Sequence, residues 1–555
     1  MNGIFKGEEK ERELVTKVRR EEEEERAEIL AEKTGLPYIN LSFIPIDGDA
    51  LKLAPKERLE KCLSAIFNRE GKILSVGAIS PDGEATQSLV ADLEKSGYKI
   101  KLFVISENSL KKALAAYPAT AEIKEIAGQV GISEEAIGRF QKEISGAEAL
   151  EKVLEKSFGG QASQTVEAIL AGALILKASD IHFEPEENKI RIRLRIDGLL
   201  EDIVFAPTGI YNSILNRVKL LSGMKLNIHE QAQDGRFSID VGDLAIEIRT
   251  SVLPGAYGEN IVMRILDPRV IKIDLESLGI RKDDLEIINR ELRKPTGMIL
   301  TTGPTGSGKT TTLYAFIRKI LTPDIKIITI EDPIEYHIEG ISQTQVEPDK
   351  GYTFDNGLRS IVRQDPDVIL VGEIRDYETA EIAMHAALTG HLVFSTLHTN
   401  DAIGAIPRLI DLGIKPPVIA PAINLLMAQR LLRRVCAKCA KKRPITAAEL
   451  GKFKKLLADL PPRAEMPEKL DDKIQILEPQ SCQECHNGYS GRIAVMELLE
   501  IGDEMEELIL KSPTEIEIKS AAKKTGFVSM EQDAAIKIIG GITTIEEAER
   551  VLGSF

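Results

Sequence analysis

No run of residues in this chain approaches the roughly 20 apolar positions that a bilayer-spanning helix requires. The longest candidate, Pro416 to Ala428, is short and broken by prolines. The N-terminal stretch MNGIFKGEEKERELVTKVRREEEEERAEIL lacks the apolar centre of a secretory signal. A cytoplasmic chain is therefore expected, with any membrane role exerted through partners. Basic charge is in deficit: 72 Lys and Arg face 87 Asp and Glu, a net of −15. That balance disfavours a general nucleic-acid binder, which presents a basic face, and leaves a local basic patch open. Cysteine is scarce, with five residues. Four of them form two Cys-x-x-Cys pairs, and in a cytoplasmic chain that arrangement favours metal over disulfides.

Apolar residues are not scarce. At 43% they suffice for real cores and exclude a disordered chain. The 555 residues correspond to about three or four domains. Residues 1–34 read as a charged leader containing five consecutive glutamates, Glu21 to Glu25. Residues 35–116 read as a small α/β domain, with strands in Lys72 to Pro81 and Tyr98 to Ser106 and a helix in Ala85 to Gly97. Cys62 takes a core position there. Residues 117–163 read as a helical linker whose glycines and serines let two domains move.

A second α/β domain is expected over residues 164–269. Its segment KIRIRLRIDG alternates strictly, with Ile190, Ile192, Leu194 and Ile196 on one face and Arg191, Arg193 and Arg195 on the other. Asp197-Gly198 then signals a tight turn. The arginine face is either solvated or turned towards phosphate. A nucleotide domain is expected over 270–432, a cysteine-bearing insert over 433–497 and C-terminal helices over 498–555.

Gly303-Pro304-Thr305-Gly306-Ser307-Gly308-Lys309-Thr310 fits the phosphate-binding pattern G-x-x-x-x-G-K-[ST] without a gap. An apolar strand precedes it, and a helix from Thr310 to Leu321, with Thr311 in its first turn, follows. Glycines let backbone N–H groups crowd around phosphates at a helix N-terminus that favours anions. Lys309 would reach the β- and γ-phosphates of a nucleotide, and the Thr310 hydroxyl would hold Mg²⁺.

Three further apolar strands each end in polar residues. IKIITI runs into Glu331, Asp332 and Glu335; DVILV into Glu373; HLVFSTL into His398. Parallel sheets bind ligands at the carboxyl ends of their strands, so these clusters are expected to meet around the triphosphate. Glu331, Glu335 and Glu373 are candidates for holding metal or orienting the attacking water. Their ranking stays open. Asp332 would brace the loop. His398 would sense the γ-phosphate or relay its state to a neighbour, while His391, at the start of its strand, is the weaker candidate.

GPTGSGKTTTLY, TIEDPIEY, LRSIVRQDPDVILVGEIRD and TGHLVFSTLHTNDA resemble the Walker A, aspartate box, Walker B and histidine box of the secretion ATPase superfamily. More narrowly, the chain resembles the motors of type II secretion and type IV pilus extension. The resemblance implies a RecA-like P-loop NTPase domain preceded by a PAS-like α/β domain and a small N-terminal α/β domain. It implies a homo-hexameric ring that hydrolyses ATP with Mg²⁺. Arginines from the second domain would face the phosphates: Arg236 and Arg249 first, then Arg264. The partners implied are an inner-membrane platform protein and other pilus or secretion assembly proteins, which puts the chain at the inner face of the cell membrane. Pilus assembly and type II secretion are not separated. The Arg-Leu-Gly pattern by which some relatives bind cyclic di-GMP is not found, so that ligand is not expected.

Cys436, Cys439, Cys482 and Cys485 suit a closed, structural Zn²⁺ site. The resembling extension and secretion motors carry such a tetracysteine insert. The adjoining RLLRRVCAKCAKKR segment is basic and reads as a docking surface, with nucleic acid as the lesser reading. A nucleic-acid translocase or DNA-uptake ATPase of the same superfamily is the alternative function, and a non-catalytic scaffold is a third.

Overall fold

Short runs of isoleucine, valine and leucine bounded by glycine and proline recur along this chain, and most of them become strands. The computed structural model describes residues 23–553, except 42–43, 45, 52, 55, 71, 96, 116–128, 132–133, 242–243, 270–273 and 468. The charged leader before residue 23 and residues 117–128 of the expected linker thus lie outside the described residues. Two compact units are present, residues 1–123 and 124–555. Among the described residues no helix is long and apolar enough to cross a membrane.

The first unit is a three-stranded sheet, β1 (Ser64–Glu70), β2 (Ile73–Ala78) and β3 (Lys99–Val104), with helices α1 (Glu84–Lys95) and α2 (Glu107–Ala115). Strands β1 and β2 run antiparallel, β2 and β3 parallel. Leu74, Val76, Leu89 and Leu93 lie in its core. Cys62 belongs to the same core, just past the end of the helix Lys56–Lys61.

The second unit holds two seven-stranded sheets. The first runs β4 (Gln129–Gly131), β8 (Gln233–Val241), β9 (Leu244–Gly255), β10 (Gly258–Leu266), β5 (Ala178–Pro185), β6 (Ile190–Ile196), β7 (Leu199–Ala206). Helices α3 (Ala162–Ile175) and α4 (Thr208–Leu221) supply much of its core. The alternation read in β6 holds, because all four of its aliphatic side chains are buried. Asp197 and Gly198 both take positive φ, 48° and 89°, as a two-residue hairpin turn between β6 and β7 requires. The arginines of β6 are paired with carboxylates: Arg191 with Asp202 at 2.8 Å, Arg193 with Glu184 at 3.4 Å, Arg195 with Asp180 at 3.3 Å. That supports the solvated reading of this face over the phosphate one.

The linker reading needs correction. Helices Glu134–Glu143 and Ala147–Ser157 are amphipathic and bury Phe140, Leu150 and Leu154 in the core of this sheet. Leu150 lies so close to Gly172 of α3 that a Cβ there would stand 2.4 Å from its Cδ1. Their polar outer faces mimic a solvated linker in sequence, while burial of each large aliphatic side chain contributes about 1.5–3 kcal/mol that a free linker would forgo.

The other sheet runs β13 (Ser342–Gln345), β12 (Ile327–Glu331), β14 (Val368–Val371), β15 (Leu392–Leu397), β11 (Gly297–Thr302), β16 (Ile423–Val435), β19 (Tyr489–Glu500). All neighbours are parallel except β16 and β19. Both faces are covered: Met298 and Leu300 point into one core, Ile299 into another. Residues up to Glu497 were expected to close the cysteine insert, yet β19 is an edge strand of this sheet. Its run from Ile493 to Leu499, apolar but for Glu497, is buried, which a surface insert would not provide. Between β16 and β19 lies the cysteine segment, with the two-stranded ribbon β17 (Lys441–Pro444) and β18 (Gln475–Glu478). Helix α6 (Met530–Ile539) packs on β19.

Candidate nucleotide site

The glycine-rich loop joins β11 to helix α5 (Lys309–Ile320). Gly303, Gly306 and Gly308 take φ of 144°, 79° and 90°, conformations that residues with a Cβ seldom adopt. A Cβ on Gly303 would stand 2.6 Å from the Gln429 carbonyl oxygen, and one on Gly308 would stand 2.7 Å from Gln429 Nε2. The loop is thus seated on β16. Gln429 is buried there and accepts a hydrogen bond from Thr312 Oγ1 at 2.8 Å. Ser307 Oγ is buried without a hydrogen-bond partner among the described residues. Lys309 Nζ donates to the carbonyls of Gly303 at 2.7 Å and Pro304 at 3.1 Å. Thr310 and Thr311 stay partly open to solvent. This set of donors at a helix N-terminus fits a nucleotide polyphosphate.

Parallel register brings the other expected residues to the same edge. Thr302 ends β11 and is tied to the loop after His398. Its Oγ1 lies 2.7 Å from both the carbonyl and the hydroxyl of Thr399, and it accepts from Thr399 N at 2.8 Å. Glu373 follows β14, and the three glutamates differ in environment. Glu331 is buried and hydrogen-bonded by Tyr314 of α5, by Thr329 Oγ1 at 2.6 Å and by Gln343 Nε2 at 3.2 Å. Glu335 is half-buried; burial lifts its carboxyl above the usual range, and Arg264 and Arg249 pull it back. Glu373 meets His398 Nε2 at 3.1 Å and Arg375 at 2.6 Å. Burial, then Arg430, holds the Lys309 ammonium below its ordinary range, while Glu373 and Glu335 oppose them.

The candidate arginines form a row. Arg236 on β8 is directly opposite Arg249 on β9, which is opposite Arg264 on β10, which is opposite Asp180 on β5. Arg264 Nε donates to Asp180 at 3.0 Å, and Arg236 is exposed. Arg249 crosses from this sheet to the aspartate-box loop, donating to the Ile334 carbonyl and, through Nε, to Glu247 at 3.1 Å. His391 Nδ1 lies 2.9 Å from the Ala386 carbonyl, away from this edge.

Two residues escaped the sequence reading, Gln429 and Arg430. Arg430 is half-buried, donating to the carbonyls of Asn400 at 2.8 Å and Gln429 at 3.1 Å beside the loop. It belongs to the basic segment, of whose seven basic residues Arg434, Lys438, Lys441 and Lys442 are exposed. Arg433 is engaged with Glu547 at 2.9 Å and lies over the Tyr489 ring, while Arg443 pairs with Glu449 at 2.7 Å. The only signal for Arg430 was its place on the strand adjacent to β11, two residues past the last pair between them, and adjacency is not written locally.

The four cysteines come together across the long gap. Their sulfurs lie within 4.8 Å of one another, with pairs at 3.9, 3.6 and 3.5 Å. Four thiolates about 2.3 Å from a tetrahedral ion have S–S edges of about 3.8 Å, so the set fits zinc.

A family model described as "Type II/IV secretion system protein" matches residues 158–550. The type IV pilus assembly ATPase PilB of Myxococcus xanthus is 38% identical over 534 residues, 95% of this chain and 90% of that protein. The type II secretion system protein E of Aeromonas hydrophila is 43% identical over 387 residues, 70% of this chain and 74% of that protein. Among solved structures, the Yersinia pseudotuberculosis ATPase DotB shares the fold, with a TM-score of 0.52 and 22% identity over 70% of this chain and 93% of that one. The chain belongs to the type II/IV secretion system protein family and is an ATPase of that family.

Proposed function

We propose that this chain is the ATP-hydrolysing motor of type IV pilus assembly or type II protein secretion. It works as a homo-hexamer at the inner face of the cell membrane, driving pilin polymerisation through a platform protein in that membrane. The observation that carries this reading is the meeting of Lys309, Glu373 and His398 at one sheet edge, with Arg249 of the other sheet reaching the aspartate-box loop. Names borne by relatives of nearly the same length support the system assigned.

In this reading Gly303 to Thr311 hold the phosphates, and Thr310 holds Mg²⁺. Glu373 orients the attacking water, because it is the glutamate that keeps a face towards Lys309 and His398. Glu331 braces α5 against β12. Glu335 takes part through its charge against Arg249 and Arg264. Arg236 and Arg249 neutralise charge on the transferred phosphoryl group. Hydrolysis then changes the angle between the two large sheets, and that motion does the work. Zn²⁺ held by Cys436, Cys439, Cys482 and Cys485 is structural.

The experiment is phosphate release from purified full-length protein with Mg²⁺-ATP. Wild type turns over, Lys309→Ala does not, and single-stranded DNA leaves the rate unchanged. Strong stimulation by DNA would favour the translocase alternative, and unaltered turnover in Lys309→Ala would end the motor reading. Recovery of a platform protein and pilins with the tagged chain tests the partners.

A further inference from the structure

Glu497 lies on β19, one strand beyond β16, and no sequence motif marks it. It is 4% exposed. A buried carboxylate is costly unless its oxygens are satisfied, and an aliphatic side chain would fit this strand well. Its two oxygens bind backbone amides from two distant segments. Oε1 accepts from Ala402 N at 2.8 Å, and Oε2 accepts from Met530 N at 3.2 Å.

Both segments have consequences. Ala402 belongs to the loop that leaves β15 through His398. Upstream in that loop, Thr399 is bonded to Thr302 at the root of the glycine-rich loop, and Asn400 accepts from Arg430. Met530 opens α6, which is pinned along β19: Met496 N donates to Asp533 at 2.8 Å, and Lys537 Nζ donates to the Ala494 carbonyl at 2.5 Å. One carboxylate therefore joins the phosphate-side loop to a helix fastened on the sheet.

We propose that Glu497 is a positioning residue for ATP hydrolysis: it anchors the His398–Gly404 loop to the first turn of α6 and so sets His398 against Glu373. This rests on the reading of the sheet edge as the hydrolytic site. Releasing the anchor leaves the glycine-rich loop on Gln429 and Thr312, so nucleotide binding is kept while turnover suffers.

The test uses full-length protein and three variants. Glu497→Gln keeps the shape and presents an N–H to one of the two amides. Met530→Pro removes the other amide at the first helical position, where proline is tolerated, and Ser529 already has the extended backbone that proline demands of its predecessor. Met530→Ala controls for the lost side chain. Glu497→Gln is expected to lower kcat about fivefold, with the affinity for a non-hydrolysable ATP analogue within about twofold of wild type. Amide exchange is expected to rise in both 398–404 and 529–533. Met530→Pro should fall below Met530→Ala in kcat, which decides the matter if Glu497→Gln does not fold. Wild-type kcat in Glu497→Gln, a parallel loss of analogue affinity, or faster exchange in one segment alone overturns the proposal. Absence of phosphate release from the wild type would defeat the hydrolytic reading separately, and the exchange data would still judge the anchor.

Discussion

His398 and Glu373 face each other from the ends of two adjacent parallel strands, with Nε2 3.1 Å from Oε2. They are 25 residues apart in sequence and are brought together because β14 and β15 are neighbours in register, Val371 opposite Ser395. The Glu373 side chain is 12% exposed and that of His398 50%, so the pair stands at the surface of the sheet edge. Glu331, by contrast, is enclosed by three donors.

This contrast separates the glutamates experimentally. Glu373→Gln should lower kcat by about a hundredfold or more while ATP binding persists. Glu331→Gln should instead cost about 2 kcal/mol of stability, since an amide cannot satisfy Tyr314, Thr329 and Gln343 together. Turnover, analogue affinity and thermal melting of the two variants measure this. Equal kcat losses with equal melting temperatures would refute it.

The cysteine cluster predicts about one zinc per chain by elemental analysis. Cys436→Ser or a strong chelator should remove it and lower the melting temperature by about 5 °C or more, because thiolates gathered from both sides of a 42-residue gap lose their common partner. Full zinc content in Cys436→Ser would contradict the assignment.

Burial pushes the Glu497 carboxyl up to about 7, with Asp401 and Glu531 adding to it, against the amides of Ala402 and Met530. Arg430 on β16 lies within electrostatic reach. The folded chain thus holds this proton more tightly than the unfolded one, whose carboxyl titrates near 4.5. The stabilising contribution is complete below that pH and is lost as pH rises towards 7. The melting temperature of wild type relative to Glu497→Gln should therefore fall between about pH 5 and pH 8. A constant difference across that range would count against it.

Local spacing announced the glycine-rich turn between β11 and α5, the ends of β12, β14 and β15, the hairpin turn at Asp197-Gly198 and the two cysteine pairs. Each of these is a short pattern whose chemistry depends on residues a few positions apart. The helices Glu134–Glu143 and Ala147–Ser157 misled, because amphipathic helices carry as much polar surface as a linker and most of the sheet whose core they enter lies further along the chain.

The sequence alone determined that a glycine-rich loop of the phosphate-binding pattern follows β11 and that carboxylates stand at the strand ends, since local spacing and charge suffice for that. Only the tertiary structure decided which glutamate is enclosed and which meets His398, which arginines are already paired, and that Gln429, Arg430 and Glu497 lie beside this edge. Those facts depend on strand order in a parallel sheet. Strand order arises from packing both faces of β11, β15 and β16, and no stretch of residues encodes it by itself.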